Sequence, residues 1–239
     1  MPRTNRQQPG GVVFHVLNRG NERRALFNDA GDYNAFLRVM AEAIRHDPVA
    51  LLAYCLMPNH WHLVVRPEAE GDLGRFMQRL TVTHVRRWHA HRQTVGLGHL
   101  YQGTYRSFPV QDDSHFLAVC RYVERNALRV GLAPPDKAQQ WRWSSLWQRD
   151  RSLPAGAVGT DWPPLSAWPV DAPRNWLQRV NQVESAAELE ALRASVRRGR
   201  PFGSTGWTLA TAERLGLTST LRSPGRPSKR LSPPASRPE

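Results

Sequence analysis

The sequence predicts an α+β protein with a ferredoxin-like βαββαβ sheet and one extra helix towards its C-terminal side. Residues 12–18, 49–57, 60–66 and 107–111 are rich in the β-branched and aromatic residues that strands favour. Two segments with helical periodicity lie between these runs, and a third follows the last one. The chain order is then β-α-β-β-α-β-α, a topology in which the first and third strands are central.

The length and charge of the chain restrict its domain organisation and the kind of partner it binds. Its 239 residues suit one sizeable domain with an appendage. The net charge of +13 favours a polyanionic partner, nucleic acid above all. Cys55 and Cys120 lie in apolar patterns, which predicts buried reduced thiols rather than a disulfide. With no signal-peptide or membrane-spanning pattern, we expect a cytoplasmic protein.

The first strand and first helix follow from simple signals. Residues 12–18 form the strand, and His15 inside it is expected to pack or hydrogen-bond in the sheet. A place for His15 beside the histidines of the third strand is the alternative. Asp29 is a predicted N-cap for a helix that ends near His46 and carries apolar residues at helical spacing.

The second and third strands form a hairpin around Pro58-Asn59, a turn signal. Side chains alternate along the third strand, so His60 and His62 lie on one face together with Val64. Two imidazoles about 6 to 7 Å apart can bind one metal ion. Two histidines on a half-buried sheet face are the structural alternative, because a His-x-His pair supplies only two ligands.

A second amphipathic helix is predicted to begin with Asp72 as its cap. The side opposite its apolar stripe is basic, which is typical either of a solvated face or of a surface that follows phosphates. The candidate DNA contacts on this helix are Arg75, Arg79 and Arg86.

The segment between this helix and the fourth strand is rich in glycine, from Gly96 to Arg106. It lacks the Gly-Lys-Ser/Thr ending of a nucleotide-binding P-loop. Glycines interleaved with Tyr101, Tyr105 and Arg106 suit close approach to a backbone and stacking on bases. Tyr105 and Arg106 are therefore candidate DNA-binding residues.

The third helix is predicted from a cap at 112–114 to about Val130. Tyr122 and Asn126 are four residues apart on it, so they are neighbours in space. Arg121 and Arg125 add positive charge beside them and are candidate DNA contacts.

These residues form a coherent chemical set. His60, His62 and the amide oxygen of Asn126 would make a three-ligand site with positions open for substrate. Such ligands suit Mg²⁺ or Mn²⁺ completed by phosphate oxygens more than structural zinc. Tyr122 would be the nucleophile, and because a phenol has a pKa of about 10 it needs help from a nearby cation. A phosphotyrosine product keeps the energy of the phosphodiester, so no nucleotide cofactor is needed.

Several separate blocks resemble the REP-associated tyrosine transposases, which belong to the HUH single-strand transposases with an IS200-like domain. The blocks are Tyr54–Val65, Gly74–Gln78, His99–Gly103 with Tyr105-Arg106, Arg121–Asn126, Arg129–Leu132 and Trp143-Ser144-Ser145. The resemblance covers about residues 11–148. Thr104 departs from it, because a basic residue is expected there.

The resemblance implies a role for each residue of the set. His60 and His62 are the metal-binding HUH pair, and Asn126 falls where the family has its third ligand. Tyr122 takes the 5′-phosphate and frees a 3′-hydroxyl. The implied substrate is single-stranded DNA that carries a REP-type hairpin, and a DNA-processing protein of this kind is expected at the nucleoid.

Residues 149–239 are predicted to be a basic, partly helical extension that assists DNA binding. Helices are expected at 185–198 and 207–215. Two Gly-Arg-Pro tripeptides follow the pattern of AT-hooks, and Arg226 in the second would enter a minor groove. A disordered basic tail is the alternative.

Two other functions remain possible at this stage. The same sheet could bind hairpin DNA without cutting it, as a regulator. A zinc hydrolase that uses His60, His62 and another histidine lacks a carboxylate base at a fitting spacing. The chain could act as a monomer or a homodimer, and no membrane partner is expected.

Overall fold

A computed structural model describes residues 7–151 and 162–222, arranged around a four-stranded antiparallel sheet. The strands are β1 Val13–Arg19, β2 Val49–Met57, β3 His60–Pro67 and β4 Arg106–Val110. Their order across the sheet is β2-β3-β1-β4, so the first and third strands are central. The predicted α+β, ferredoxin-like fold is confirmed. Arg226 lies outside the described residues.

Helices cover both faces of the sheet. On one face lie α1 Ala30–His46 and α2 Asp72–His91, and on the other lie α3 Ser114–Glu124 and the short α4 Asn126–Arg129. The remaining helices of the described residues are α5 Ser145–Asp150, α6 Trp176–Asn181, α7 Ala186–Arg198 and α8 Thr205–Arg214. No helix within the two described ranges is both long and apolar enough to cross a membrane.

Alternation along the strands separates two apolar clusters. Phe14 and Trp61 are buried with α1 and α2, whereas Val13 and Val64 are buried with α3. Side chains two residues apart share a face, so His15 on β1 points to the α3 side. The alternation of side chains along β1 and β3 therefore places the histidines on the face that α3 covers.

The predicted helix starts are correct in two cases and wrong in one. Asp29 caps α1, where its carboxylate accepts from the backbone N–H of Asp32. Asp113 caps α3. Asp72 is the first residue of α2 rather than its cap, because Gly71 takes the capping position with a φ of +84°, a conformation that glycine adopts readily.

The third helix is interrupted at Arg125, where a single helix to Val130 was predicted. The interruption is small. The N–H of Arg125 still donates to the carbonyl of Arg121, and that of Arg129 to the carbonyl of Arg125. Tyr122 and Asn126 consequently stay about one turn apart.

The C-terminal extension packs onto the face that carries α3. Trp176, Val180 and Leu192 belong to the same buried cluster as Phe116. Phe202 adds backbone hydrogen bonds to the edge of β4, donating to Pro109 at 2.9 Å. The predicted helices at 185–198 and 207–215 are confirmed as α7 and α8. In the described residues, the extension thus shares a core with the sheet instead of forming a separate unit.

Candidate active site

Three histidines lie together on the α3 side of the sheet. The ring centroids of His60 and His62 on β3 are 5.0 Å apart. His15 lies beside them on β1, with its Nε2 2.9 Å from Nδ1 of His62. Both predictions for His15 are confirmed, because it is buried and hydrogen-bonded within the sheet and it lies beside the His-x-His pair.

Hydrogen bonds restrict which ring nitrogens can bind a ligand. Nδ1 of His60 lies 2.7 Å from Oδ1 of Asn59, an oxygen that can only accept. Nδ1 of His60 therefore carries the hydrogen, and its Nε2 keeps a lone pair. If Nδ1 of His62 donates to His15, then Nε2 of His62 keeps its lone pair as well.

Burial keeps these rings neutral. Removal from water lowers the pKa of His60 to about 4, helped by the charge of Arg19. Burial lowers the pKa of His15 to about 3, and that of His62 well below its ordinary value. Neutral imidazoles are what a metal ion requires of histidine ligands.

Tyr122 on α3 faces this cluster. Its ring centroid is 5.9 Å from that of His62 and 6.4 Å from that of His15. The guanidinium of Arg129 lies over the ring at 4.4 Å from the centroid. Burial raises the pKa of Tyr122, while the positive charges of Arg129 and Arg193 oppose that rise.

Asn126 is buried at the start of α4, one turn beyond Tyr122. Its Nδ2 has no hydrogen-bond partner, which leaves a buried donor free for an acceptor such as a phosphate oxygen, whereas a metal ion would be bound by its Oδ1. The next residue, Ala127, contacts the thiol of Cys55, which pairs with His62 across the sheet. This contact brings the start of α4 to the strand region that holds the histidines.

The histidine pair by itself supplies two ligands for a metal ion. Within the two described ranges, no group of three or more His, Cys, Asp or Glu side chains is arranged to hold a metal ion. A third protein ligand beside His60 and His62 would have to be of another type, and Asn126 is the predicted one. Because no three such side chains converge in the described chain, the zinc hydrolase alternative gains no support.

The arginines predicted on α2 lie at the surface. Arg75 forms an ion pair with Asp72, and Arg79 with Asp47. Arg86 lines a groove of about 790 Å³ between α2 and the glycine-rich segment. Tyr105 lines the same groove. The groove also presents polar groups from Asn18, Gln78, Thr81, Gln102 and Thr104.

Arg106 lies on the histidine face, at the exposed start of β4. Leu17 of β1 pairs with His62 on one side and with Arg106 on the other, so these two residues are level across the sheet. Strands are about 4.8 Å apart, which puts their backbones about 10 Å from each other. Arg106 therefore lies at the rim of the site.

Two arginines predicted to bind DNA hold the extension in this structure. Arg121 donates to the carbonyl of Gln182 at 2.9 Å. Arg125 donates to the carbonyls of Val180 and Asn181 at 3.0 and 2.6 Å, and it is only 8% exposed. A phosphate could reach Arg125 only if the extension moved, so its predicted DNA contact does not match this arrangement.

Tyr101 is also not where the prediction of base stacking requires it. The ring is buried on the opposite face of the sheet, between α2 and β3. Its hydroxyl accepts from Nε1 of Trp61 at 3.1 Å and lies 2.6 Å from Nδ1 of His84. Tyr101 is thus part of a buried polar network. Both tyrosines line the groove, but the ring of Tyr101 is buried at its floor, only 7% exposed, whereas Tyr105 is half-buried.

Comparison with known proteins decides the family. The family model described as "Transposase IS200 like" matches residues 10–126. These residues belong to the IS200-like transposases. The matched residues run from before β1 to the start of α4, and they include His60, His62, Tyr122 and Asn126.

The fold is shared with one solved structure, and a second structure aligns more weakly. A REP-associated tyrosine transposase bound to a REP hairpin aligns with a TM-score of 0.50 and 20% identity, over 72% of this chain and 95% of that one. A candidate transposase from Deinococcus radiodurans R1 aligns with a TM-score of 0.36 and 15% identity, over 52% and 93% of the two chains. A search of curated proteins found no match.

Proposed function

We propose that this protein is a metal-dependent DNA transposase that cleaves and rejoins single-stranded DNA at REP-type hairpin repeats through a 5′-phosphotyrosine intermediate. The observation that carries the proposal is the contact of Tyr122 with His62, a phenol against a neutral imidazole on the face of a central strand. The match to the IS200-like transposases supports the reaction class. A similarly folded transposase is bound to a REP hairpin, which supports the substrate.

His60, His62 and Asn126 would hold a divalent ion, Mg²⁺ or Mn²⁺. When bound, such an ion polarises a phosphodiester and offsets the charge that builds up during attack. The neutral state of the histidines fits this role. No nucleotide cofactor is needed, because the phosphodiester energy is kept in the phosphotyrosine.

Tyr122 performs the covalent step. Its phenolic oxygen attacks the phosphorus and loses its proton to the surroundings, and a new bond joins that oxygen to the 5′-phosphate. The bond from phosphorus to the 3′-oxygen breaks, and that oxygen takes up a proton. Arg129 over the ring favours the ionised phenol. Rejoining reverses these steps when a 3′-hydroxyl attacks the phosphotyrosine.

The DNA strand would run over the end of the sheet where β1 stops and β3 begins. Arg86 and Tyr105 line the groove on one face, and Arg106 lies at the rim of the site on the other. Arginine pairs with phosphates and tyrosine stacks on bases, which suits an unpaired strand. Arg75 and Arg79 lie farther along α2, where a DNA phosphate would compete with Asp72 and Asp47 for their guanidinium groups.

A labelled single-stranded hairpin repeat, incubated with Mg²⁺ or Mn²⁺, tests this function. Wild-type protein should form a covalent adduct that survives denaturation. The adduct should disappear in EDTA and in Tyr122→Phe, but persist in Tyr33→Phe, a matched loss of one buried hydroxyl. Hairpin binding without any adduct would instead indicate a non-catalytic repeat-binding regulator.

A further inference from the structure

A carboxylate of the C-terminal extension reaches the neighbourhood of the proposed nucleophile. Glu184 lies between α6 and α7, and its side chain is only 6% exposed. Its Oε1 is 2.5 Å from Nη2 of Arg129, and its Oε2 is 3.2 Å from Nε of Arg125. One buried carboxylate thus joins two arginines of the segment that follows Tyr122.

Arg129 connects this carboxylate to Tyr122. Its guanidinium lies over the tyrosine ring, and its Nη2 also donates to the carbonyl of Tyr122 at 3.3 Å. One nitrogen of the guanidinium therefore contacts both the carboxylate of Glu184 and the backbone of the residue that carries the nucleophile. Glu184 touches neither the ring nor the histidines in any contact described above. Its own negative charge raises the pKa of Tyr122, so a favourable effect on the phenol has to pass through Arg129.

We propose that Glu184 is a positioning residue of the tyrosine site, holding Arg129 across the ring of Tyr122 so that the phenol stays directed at the site beside His62. The proposal rests on the function proposed above. It gives the extension a part in the chemistry besides any part in DNA binding.

The physical basis of the proposal is competition between Glu184 and a DNA phosphate for the guanidinium of Arg129. An arginine without a carboxylate partner is attracted to the nearest phosphate through its bidentate fork. Incoming DNA would then draw Arg129 away from the ring, and the phenol would lose both its packing partner and its nearest positive charge. Glu184 competes with the phosphate for the guanidinium and keeps it in place.

Glu184 is not the only anchor of the extension. Arg121 donates to the carbonyl of Gln182, Arg125 donates to Val180 and Asn181, and Nε1 of Trp176 donates to Glu124 at 2.7 Å. These contacts do not involve the Glu184 carboxylate. Loss of its charge should therefore leave α6 and α7 docked, so that positioning can be separated from anchoring.

The test is a double-mutant cycle on the rate of adduct formation in a single turnover. Glu184→Gln should slow the reaction about 10- to 100-fold, since small misplacements of reacting groups cost about that much. If Glu184 acts through Arg129, Glu184→Gln adds no further loss in an Arg129→Gln background. Independent, multiplying effects would overturn the proposal. Glu213→Gln, an exposed carboxylate of α8, is the matched control.

A second readout needs no activity. With 3-fluorotyrosine at position 122, the fluorine resonance should shift in Glu184→Gln in the same direction as in Arg129→Gln, and remain unchanged in Glu213→Gln. An unchanged resonance in Glu184→Gln would contradict positioning. So would faster hydrogen exchange throughout α7, because it would show that Glu184 anchors the extension. If wild type forms no adduct, the proposed function fails, while the fluorine result still decides the positioning.

Discussion

His15 and His62 lie side by side on adjacent central strands, with Nε2 of His15 2.9 Å from Nδ1 of His62. Their ring centroids are 5.1 Å apart. A histidine that binds a metal through one nitrogen is usually oriented by a hydrogen bond at the other. His15 is placed to supply that bond to His62.

Replacement of His15 by alanine should weaken Mn²⁺ binding by about 10- to 100-fold, the usual cost of losing an outer partner of a metal ligand. Isothermal titration with Mn²⁺ measures this directly. His46→Ala, which removes an exposed histidine at the end of α1, should leave the affinity unchanged. Equal affinities for His15→Ala and wild type would show that His62 needs no such support.

The groove between α2 and the glycine-rich segment should bind the DNA strand. Arg86→Ala should weaken binding of single-stranded hairpin DNA. The slope of log affinity against log salt concentration should become smaller by about 1, the contribution of one phosphate contact. Fluorescence anisotropy over a range of salt concentrations provides both numbers. Arg45→Ala, an exposed arginine on α1, is the control, and an equal effect there would assign the loss to net charge alone.

The buried histidines make the fold sensitive to acid. Burial lowers the pKa of His84 to about 3, with a smaller rise from the charge of Asp32 and a smaller fall from that of Arg92. The unfolded chain takes up the proton near the ordinary value of 6.5. The unfolded state binds more protons below that value, so the free energy of unfolding falls as the pH falls from 6.5 towards 3.

His84→Gln should reduce this dependence by up to about 1.4 kcal/mol per pH unit, the contribution of one proton. Urea unfolding at several pH values below neutrality measures the slope. His91→Gln, at the exposed end of α2, should keep the wild-type slope. A slope unchanged in His84→Gln would show that this ring does not resist protonation in the folded state.

Glu124 joins the sheet side of α3 to two later helices. Its carboxylate accepts from Oγ of Ser145 at 2.5 Å and from Nε1 of Trp176 at 2.7 Å, and it is fully buried. Glu124→Ala should lower the free energy of unfolding by about 2 to 3 kcal/mol, because both donors lose their partner. Chemical denaturation checks this value. Glu70→Ala, at an exposed site, should change the free energy of unfolding little. Similar losses in both variants would show that the buried hydrogen bonds of Glu124 are not the cause.

Local patterns predicted most of the transposase domain. Alternation in β3 correctly put His60 and His62 on one face, and helical spacing put Tyr122 and Asn126 one turn apart. Both inferences depend only on neighbours along the chain. The element order then made β3 central, which brought the histidines under α3.

The errors come from contacts between distant parts of the chain. Tyr101 looks like an exposed aromatic among glycines, yet Trp61 and His84 supply it with buried partners. Arg125 looks like one more basic residue of a helix, but carbonyls 55 and 56 residues away bind it. Contacts between residues so far apart in the chain leave no periodic pattern in the sequence. The ion pair between Glu184 and Arg129 could therefore not be predicted.

The most direct measurement of the central claim is to identify the residue that carries the DNA. Wild-type protein is reacted with a single-stranded hairpin repeat and Mn²⁺, the adduct is digested with nuclease and protease, and the peptides are identified by mass spectrometry. We expect a nucleotide joined through its 5′-phosphate to Tyr122. A nucleotide on another residue, or a cleaved strand with no attached peptide, would contradict the assignment of Tyr122 as the nucleophile.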